Sequence, residues 1–180
     1  LHFFATCMVA LGTLISTFWI ISGNSWMHTP AGYTIVDGVY QAADWMQIVF
    51  NPSFPVRLAH MVLAAFITTC FVIGGISAVY LLRNRHVEPA TLMLKLGGAF
   101  PAIAVPAQIF VGGLHGLAVH EHQPVKLAAI EGIWETERGA PLLLFAWPDE
   151  GREENRYAVG IPKLGSLIIT HDVDGVVHGL

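Results

Sequence analysis

The sequence predicts an all-α integral membrane protein, with three transmembrane helices of a larger helical bundle and an external loop. Two observations support this fold class. Of the 180 residues, 54% are hydrophobic and only 12% are charged, about half the charged share of soluble globular domains. Three segments are also apolar around their whole circumference and reach the ~20 residues that span a bilayer. A buried soluble core would explain one such segment but not three.

The first transmembrane helix is predicted over residues 1–22, "LHFFATCMVALGTLISTFWIIS". The chain starts inside this apolar run, without an initial Met or a charged leader. We therefore expect an internal fragment of a longer protein and predict no signal peptide. Cys7 here and Cys70 further along both lie in apolar runs. We interpret them as small apolar residues, not as a disulfide or a metal pair.

The second transmembrane helix is predicted over residues 56–83 and the third over residues 92–114. The second has a single histidine, His60, and its charged side chains occur only near its two ends. The third contains Pro101 and Pro106, which remove backbone donors. We therefore expect a kinked helix that packs against neighbours able to restore the lost hydrogen bonds.

The connections between these helices predict their orientation. Arg83 and Arg85 flank the start of the short link 84–91, whereas the loop 23–55 contains no Lys or Arg. By the positive-inside rule the link is cytoplasmic and the loop is external. The third helix then runs outward and places residues 115–180 outside, on the periplasmic face of a bacterium.

The segment 115–180 differs in composition from the rest of the chain. It holds five basic and ten acidic side chains, which predicts a solvated, net acidic segment with no basic block for nucleic acid. We predict a structured extramembrane loop, with helix near residues 125–136 and irregular structure after it. The stretch "KLGSLIITHD" is predicted to be a short helix or a strand, since the spacing of its apolar residues favours neither.

His60 is the first residue that could carry chemistry. An ionisable residue inside a spanning helix is a functional hypothesis by default, and a neutral imidazole suits haem iron or another metal. The alternative is a histidine that hydrogen-bonds to a neighbouring helix or to the headgroups. Arg57, one turn earlier, is a candidate partner for an anionic group such as a haem propionate. The alternative for Arg57 is a plain interfacial anchor.

Lys126 and Glu131 form a second candidate site. In a helix over 125–135 they lie roughly 140° apart around the axis, so they do not form a simple ion pair, and Trp134 and Glu135 would lie one turn from Glu131. A carboxylate that borders apolar residues tends to have a raised pKa, which suits it to accept a proton near neutral pH. The alternative is an amphipathic interfacial helix with solvated charges.

Two further groups of polar residues are weaker candidates. The acidic tract "PDEGREEN", which includes Glu154, is by default a solvated charged face. The "HEH" at residues 120–122 supplies two histidines without a third ligand, so we predict no zinc site there.

Several motifs together carry a resemblance to a known family. "KLAAIEGIWET" and "PDEGREENRYAVGIPKLGSLIITHD" closely resemble the quinol-binding loop of cytochrome bd-type quinol oxidase subunit I. "FNPSFPVRLAHMVLAAF" resembles the start of the helix that bears one axial ligand of its low-spin b haem. "GLHG" and "EHQPVKLAAIEG" are most similar to the cyanide-insensitive branch of that family. The resemblance covers essentially the whole chain.

The resemblance implies roles for particular residues. The family's subunit has nine helices, of which this fragment would cover the fourth to the sixth and the quinol loop. His60 matches the axial histidine of the low-spin haem b. Lys126 and Glu131 match the lysine and glutamate implicated in quinol oxidation, and Glu154 matches a further loop glutamate linked to quinol. Many relatives have an acid where this chain has Gly113, so no proton role is carried over to that position.

The resemblance also implies a function for the complete protein. Ubiquinol or menaquinol is oxidised at the periplasmic loop, and electrons pass through the low-spin haem b to a haem b and haem d pair that reduces oxygen to water. The methionine that completes the low-spin haem and the ligands of the other two haems are expected outside this segment, so the fragment alone is not expected to be active.

The expected partners are quinol, oxidase subunit II, small subunits and membrane lipid. The expected location is the bacterial inner membrane, which the protein crosses several times. The alternative to this function is a non-catalytic or transporter-like membrane subunit without haem.

Overall fold

The computed structural model describes residues 1–180 and divides into two compact units, Leu1–Gly112 and Gly113–Leu180. The chain is mostly helical. Three helices, α1 (His2–His28), α3 (Phe54–Leu82) and α4 (Val87–His122), are long and apolar enough to cross a membrane. The prediction of three spanning helices is confirmed.

The long helices extend beyond the apolar runs that predicted them. Helix α1 continues to His28, six residues past the expected end, and α4 continues to His122, eight residues past it. The reason is that backbone hydrogen bonding does not stop where side chains become polar. Helix α4 also continues through Pro101 and Pro106, although each proline lacks the N–H that would join the preceding turn.

The loop between α1 and α3 has secondary structure that was not predicted. Strands β1 (Tyr33–Val36) and β2 (Val39–Ala42) form an antiparallel hairpin. Both turn residues, Asp37 and Gly38, have positive φ (52° and 77°), as a tight hairpin with the native twist requires. A short helix, α2 (Trp45–Val49), follows the hairpin.

Buried polar side chains join the end of α1 to the beginning of α3. The hydroxyls of Thr29 and Ser53 lie 2.7 Å apart, and the Ser22 hydroxyl donates to the Val49 carbonyl at 2.9 Å. Asn51, only 1% exposed, donates to the Ile48 carbonyl at 3.0 Å. Because buried polar groups without partners are costly, this network determines where α3, the helix that carries His60, begins.

Helices α3 and α4 approach each other closely at a glycine. A Cβ on Gly97 would lie 3.1 Å from the Cys70 carbonyl oxygen, so only a residue without a side chain fits there comfortably. The rings of Phe66 and Phe100 lie 5.8 Å apart across the same pair of helices. Small residues at such contacts are typical of helix packing in membranes.

The second unit contains more regular structure than was predicted. It comprises the end of α4 and the elements α5 (Pro124–Glu131), β3 (Glu137–Arg138), β4 (Leu142–Asp149), β5 (Glu154–Ile161), α6 (Leu164–Thr170) and β6 (Val176–Val177). Strands β4 and β5 form an antiparallel hairpin, and β3 pairs with β6.

Two expectations about this unit were therefore wrong. The helix does not continue to residue 136, because Gly132 adopts a left-handed conformation (φ 69°) that ends α5. The acidic tract is not irregular but lies at the turn of the β4–β5 hairpin. Shifts in register near Phe145 break the alternation of side chains along β4, which concealed the strand period. The undecided stretch "KLGSLIITHD" contains the helix α6.

A small apolar core holds the second unit together. It consists of Leu127, Ala128, Ile133, Ala140, Ile169 and Val177. Ser166 is fully buried beside this core. Its hydroxyl accepts from the Ala140 N–H at 2.7 Å and donates to the Gly175 carbonyl at 2.9 Å. One side chain thus joins α6 to two separate segments of the loop.

We predict that Ser166→Ala in the full-length protein loosens this unit. The change leaves a buried N–H and a buried carbonyl without this partner, which costs about 1–3 kcal/mol. Limited proteolysis in native membranes measures the effect, and cleavage within 137–177 should be about tenfold faster. The exposed Val173 provides the control Val173→Ala. Equal cleavage rates for Ser166→Ala and the wild type would contradict the prediction.

Candidate functional site

His60 lies in the second turn of α3 and its half-buried ring faces α4. Its Nε2 is 3.0 Å from the side-chain amide nitrogen of Gln108. An amide NH₂ only donates hydrogen bonds, so in this arrangement Nε2 is the acceptor and the ring proton is on Nδ1. Nε2 of His60 therefore faces α4 and contacts the Gln108 side chain.

Helix α4 approaches the His60 ring closely at a glycine. A Cβ added to Gly112 on α4 would lie 3.4 Å from Cε1 of His60. A neutral imidazole with a lone pair on Nε2 is a suitable ligand for haem iron. In this structure the Gln108 amide occupies Nε2, so binding of haem iron by His60 would require that contact to be released.

Gln108 was not identified from the sequence, although a signal existed. It is the only amide, histidine or charged residue between Lys95 and His115. An isolated amide in an apolar span requires a polar partner, and His60 is that partner.

Arg57 has a partner inside the protein. Its half-buried guanidinium donates to the side-chain carbonyl of Asn24 on α1. This contact links α1 to the first turn of α3. The structure thus places Arg57 one turn from His60, as expected, and gives it a helix-joining contact that the sequence did not predict.

Lys126 and Glu131 occupy different environments on α5. Glu131 is half-buried and lines a cleft, whereas Lys126 is exposed and does not line it. The residues one turn before Glu131, Leu127 and Ala128, are buried in the core. The expectation that Trp134 lies one helical turn beyond Glu131 was wrong, because the helix has already ended. The chain turns at residue 132, and Trp134 reaches the same cleft from outside the helix.

The cleft beside Glu131 has a volume of about 500 Å³. This volume is within the range of small-molecule sites. Its lining combines apolar side chains with a few polar groups and consists of Ala129, Ile130, Glu131, Gly132, Trp134, Leu143, Leu144, Phe145, Ala146, Pro148, Glu150, Asn155 and Leu180. A cleft that combines apolar walls with two carboxylates and one amide can hold a flat ring and accept protons from it.

Glu154 lies outside this cleft. It is exposed, and its carboxylate is 3.6 Å from the Arg152 guanidinium and 4.0 Å from that of Arg156. Arg156 also pairs with Asp149 at 2.6 Å across the hairpin. The member of the acidic tract that lines the cleft is Glu150, which the sequence did not distinguish from its neighbours.

Asn155 is a second residue that the sequence did not identify. Its amide nitrogen donates to the Gly132 carbonyl at 2.5 Å, and its amide oxygen accepts from the Trp134 indole N–H at 3.2 Å. The side chain lines the cleft. Nothing in a single sequence indicates that a residue of β5 contacts the end of α5, because 23 residues separate Gly132 from Asn155.

The chain is similar to known proteins over almost its whole length. The family model described as "Cytochrome bd terminal oxidase subunit I" matches residues 1–180. The chain is 37% identical over 182 residues to "Cytochrome bd-II ubiquinol oxidase subunit 1" of Escherichia coli K12, covering 99% of this chain and 35% of that protein. It is 32% identical to "Putative cytochrome bd menaquinol oxidase subunit I" of Bacillus subtilis, covering 98% of this chain and 41% of that protein.

A solved structure also matches. The chain superposes on "The structure of bd oxidase from Geobacillus thermodenitrificans" with a TM-score of 0.84 and 34% identity, covering 96% of this chain and 40% of that one. The chain thus spans between about a third and two fifths of the length of these relatives. The match to the family model over all 180 residues shows that the chain belongs to the cytochrome bd terminal oxidase subunit I family.

Proposed function

We propose that these residues are the part of a cytochrome bd-type quinol oxidase that oxidises quinol beside Glu131 and holds a low-spin haem b through His60. Membership of the family supports an oxidoreductase role in a respiratory chain. The observation that carries the proposed site is the cleft of about 500 Å³, lined by both apolar and polar groups, with Glu131 at its wall.

The cleft supplies what quinol oxidation requires. Conversion of a quinol to a quinone releases two electrons and two protons, so the ring hydroxyls need proton acceptors within hydrogen-bond reach. Leu143, Phe145 and Trp134 provide apolar and aromatic walls for a ring. Glu131 takes the first proton, and Glu150, the other carboxylate of the cleft, is the second candidate acceptor.

The other two expected quinol residues act from outside the cleft. Lys126 is exposed on α5, and we assign it an electrostatic role at the loop surface. Glu154 is paired with Arg152 and Arg156, and we assign it to holding the turn of the β4–β5 hairpin. Neither assignment requires contact with the quinol ring.

His60 is the residue proposed to hold the haem. Its Nε2 is the proposed ligand atom and would exchange its contact with Gln108 for the haem iron, and Gly112 presents no side chain to the ring. When bound, the haem supplies a one-electron acceptor for the electrons of the quinol. Arg57 remains a candidate partner for a propionate, in addition to its contact with Asn24.

The remaining parts of the proposal concern the complete enzyme. A high-spin haem b and haem d, with ligands outside these 180 residues, would supply the site of oxygen reduction to water. We propose a bacterial inner-membrane location with the quinol loop on the periplasmic side, because Arg83 and Arg85 lie at the short link between α3 and α4 whereas the loop 23–55 contains no Lys or Arg. Subunit II and small subunits are the proposed partners. Relatives named for ubiquinol and for menaquinol both match, so both quinols are candidate substrates.

We predict that Glu131→Gln in the full-length oxidase lowers kcat for quinol oxidation by about 100-fold. Loss of a proton acceptor at the reacting hydroxyl typically costs that much. Steady-state quinol:oxygen turnover measures the effect, and the haem spectrum should be unchanged. Glu137→Gln is the matched control, because Glu137 is exposed and does not line the cleft. Normal turnover in Glu131→Gln would exclude the proposed quinol site.

We predict that His60→Ala in the full-length oxidase abolishes the absorption of the low-spin haem b, because the iron loses its axial imidazole. A reduced-minus-oxidised spectrum of the purified complex measures the change. His86→Ala, in the link between α3 and α4, is the matched control and should retain the band. A normal low-spin band in the His60 variant would show that another residue is the ligand.

A further inference from the structure

The position of Glu131 depends on an abrupt end to α5. The Ile133 N–H donates to the Ala128 carbonyl at 2.9 Å, which closes the last turn of the helix over a left-handed Gly132 (φ 69°, ψ 35°). A residue with a side chain rarely adopts this conformation. Glu131 is therefore the last helical residue, and the backbone reverses immediately after it.

One side chain from a distant strand holds this reversal. The Asn155 amide donates through its nitrogen to the Gly132 carbonyl and accepts through its oxygen from the Trp134 indole N–H. Exchanging the two amide atoms would place a donor against the indole and an acceptor against the carbonyl, so these partners determine the orientation of the amide. Ile133, between the two contacts, is buried in the core and only 5% exposed.

There is little spare room around this contact. A Cβ on Gly132 would lie 3.4 Å from the Asn155 amide nitrogen and 3.3 Å from a Leu143 methyl group. The amide thus fits against the turn and against β4 at the same time. Asn155 contacts Gly132 and Trp134, and Ile133 between them is buried in the core. The turn formed by these three residues therefore has few alternative conformations.

The same residues separate two cavities. A smaller cavity of about 290 Å³ lies beside the cleft, and Glu135 and Glu137 are among its lining residues. Gly132, Trp134, Leu143 and Asn155 line both cavities. The hydrogen-bonded side chains of Asn155 and Trp134 therefore line both the smaller cavity, which contains Glu135 and Glu137, and the cleft, which contains Glu131.

We propose that Asn155 is a positioning residue for quinol oxidation, which clamps the turn after α5 and so holds the Glu131 carboxylate and the Trp134 ring at the cleft. The inference rests on the proposed quinol site. Asn155 does not take a proton; it acts by restricting Glu131 to one geometry and by closing the cleft toward the smaller cavity. Misplacement of a reacting group by about 1 Å can cost about 100-fold in rate.

Three variants of the full-length oxidase separate the two contacts. Asn155→Ala removes both contacts. Asn155→Asp keeps an acceptor for Trp134 but loses the donor to the Gly132 carbonyl. Trp134→Phe keeps the aromatic wall and the Gly132 contact but removes the indole donor. Val159→Ala is the control on the same strand, because Val159 is exposed and lines neither cavity.

The measurements are hydrogen–deuterium exchange of the peptide 130–136, KM and kcat for quinol, and the dithionite-reduced haem spectrum. In Asn155→Ala we expect exchange to be about tenfold faster and kcat/KM to fall by about tenfold or more, with an unchanged haem spectrum. Asn155→Asp should show the same increase in exchange as Asn155→Ala. Trp134→Phe should show a smaller change in exchange and in kcat/KM than Asn155→Ala. Val159→Ala should match the wild type in every measurement.

Two outcomes would overturn the proposal. Unchanged exchange and unchanged kcat/KM in Asn155→Ala would show that the clamp does not hold the turn. Faster exchange with unchanged kcat/KM would show that Asn155 supports only the stability of the loop. Failure of the proposed quinol site itself has a different signature, because Glu131→Gln would then retain normal turnover. If Glu131→Gln loses turnover while Asn155→Ala keeps it, only the clamp is excluded.

Discussion

The absence of water from the hydrocarbon core of a bilayer constrains everything else in this chain. Each backbone N–H and carbonyl there must find its partner within the protein, which makes continuous helices the solution for long apolar segments. Helices α1, α3 and α4 satisfy this requirement over 27, 29 and 36 residues. Polar chemistry inside the spans is consequently sparse, and the one histidine within α3 has its own amide partner on α4.

The second unit obeys a different constraint, because its backbone must reverse direction several times within 68 residues. Its core is small, and the reversals depend on single side chains. Ser166 joins α6 to two loop segments, and Asn155 joins β5 to the end of α5. The Glu131 cleft is built on one of these reversals, so the proposed proton acceptor and the stability of the loop depend on the same hydrogen bonds.

The family motif and the geometry of the structure contribute different information about the candidate site. The family motif treats Lys126, Glu131 and Glu154 as members of one quinol loop, and all three do lie in the second unit. The structure places only Glu131 of the three at the cleft. Glu150, four residues before Glu154, is the acidic residue of the β4–β5 hairpin that lines the cleft together with Glu131. Membership of a motif therefore indicates the region of a site but not which side chains touch its ligand.

Length, hydropathy and the resemblance of contiguous motifs were sufficient to predict the three spanning helices and the family. These features follow from the period and composition of contiguous residues, which a sequence displays directly. The contact of His60 with Gln108, the cleft and the Asn155 clamp could not be predicted in this way. Each joins residues far apart along the chain, and only the packing of one element against another determines which of them meet.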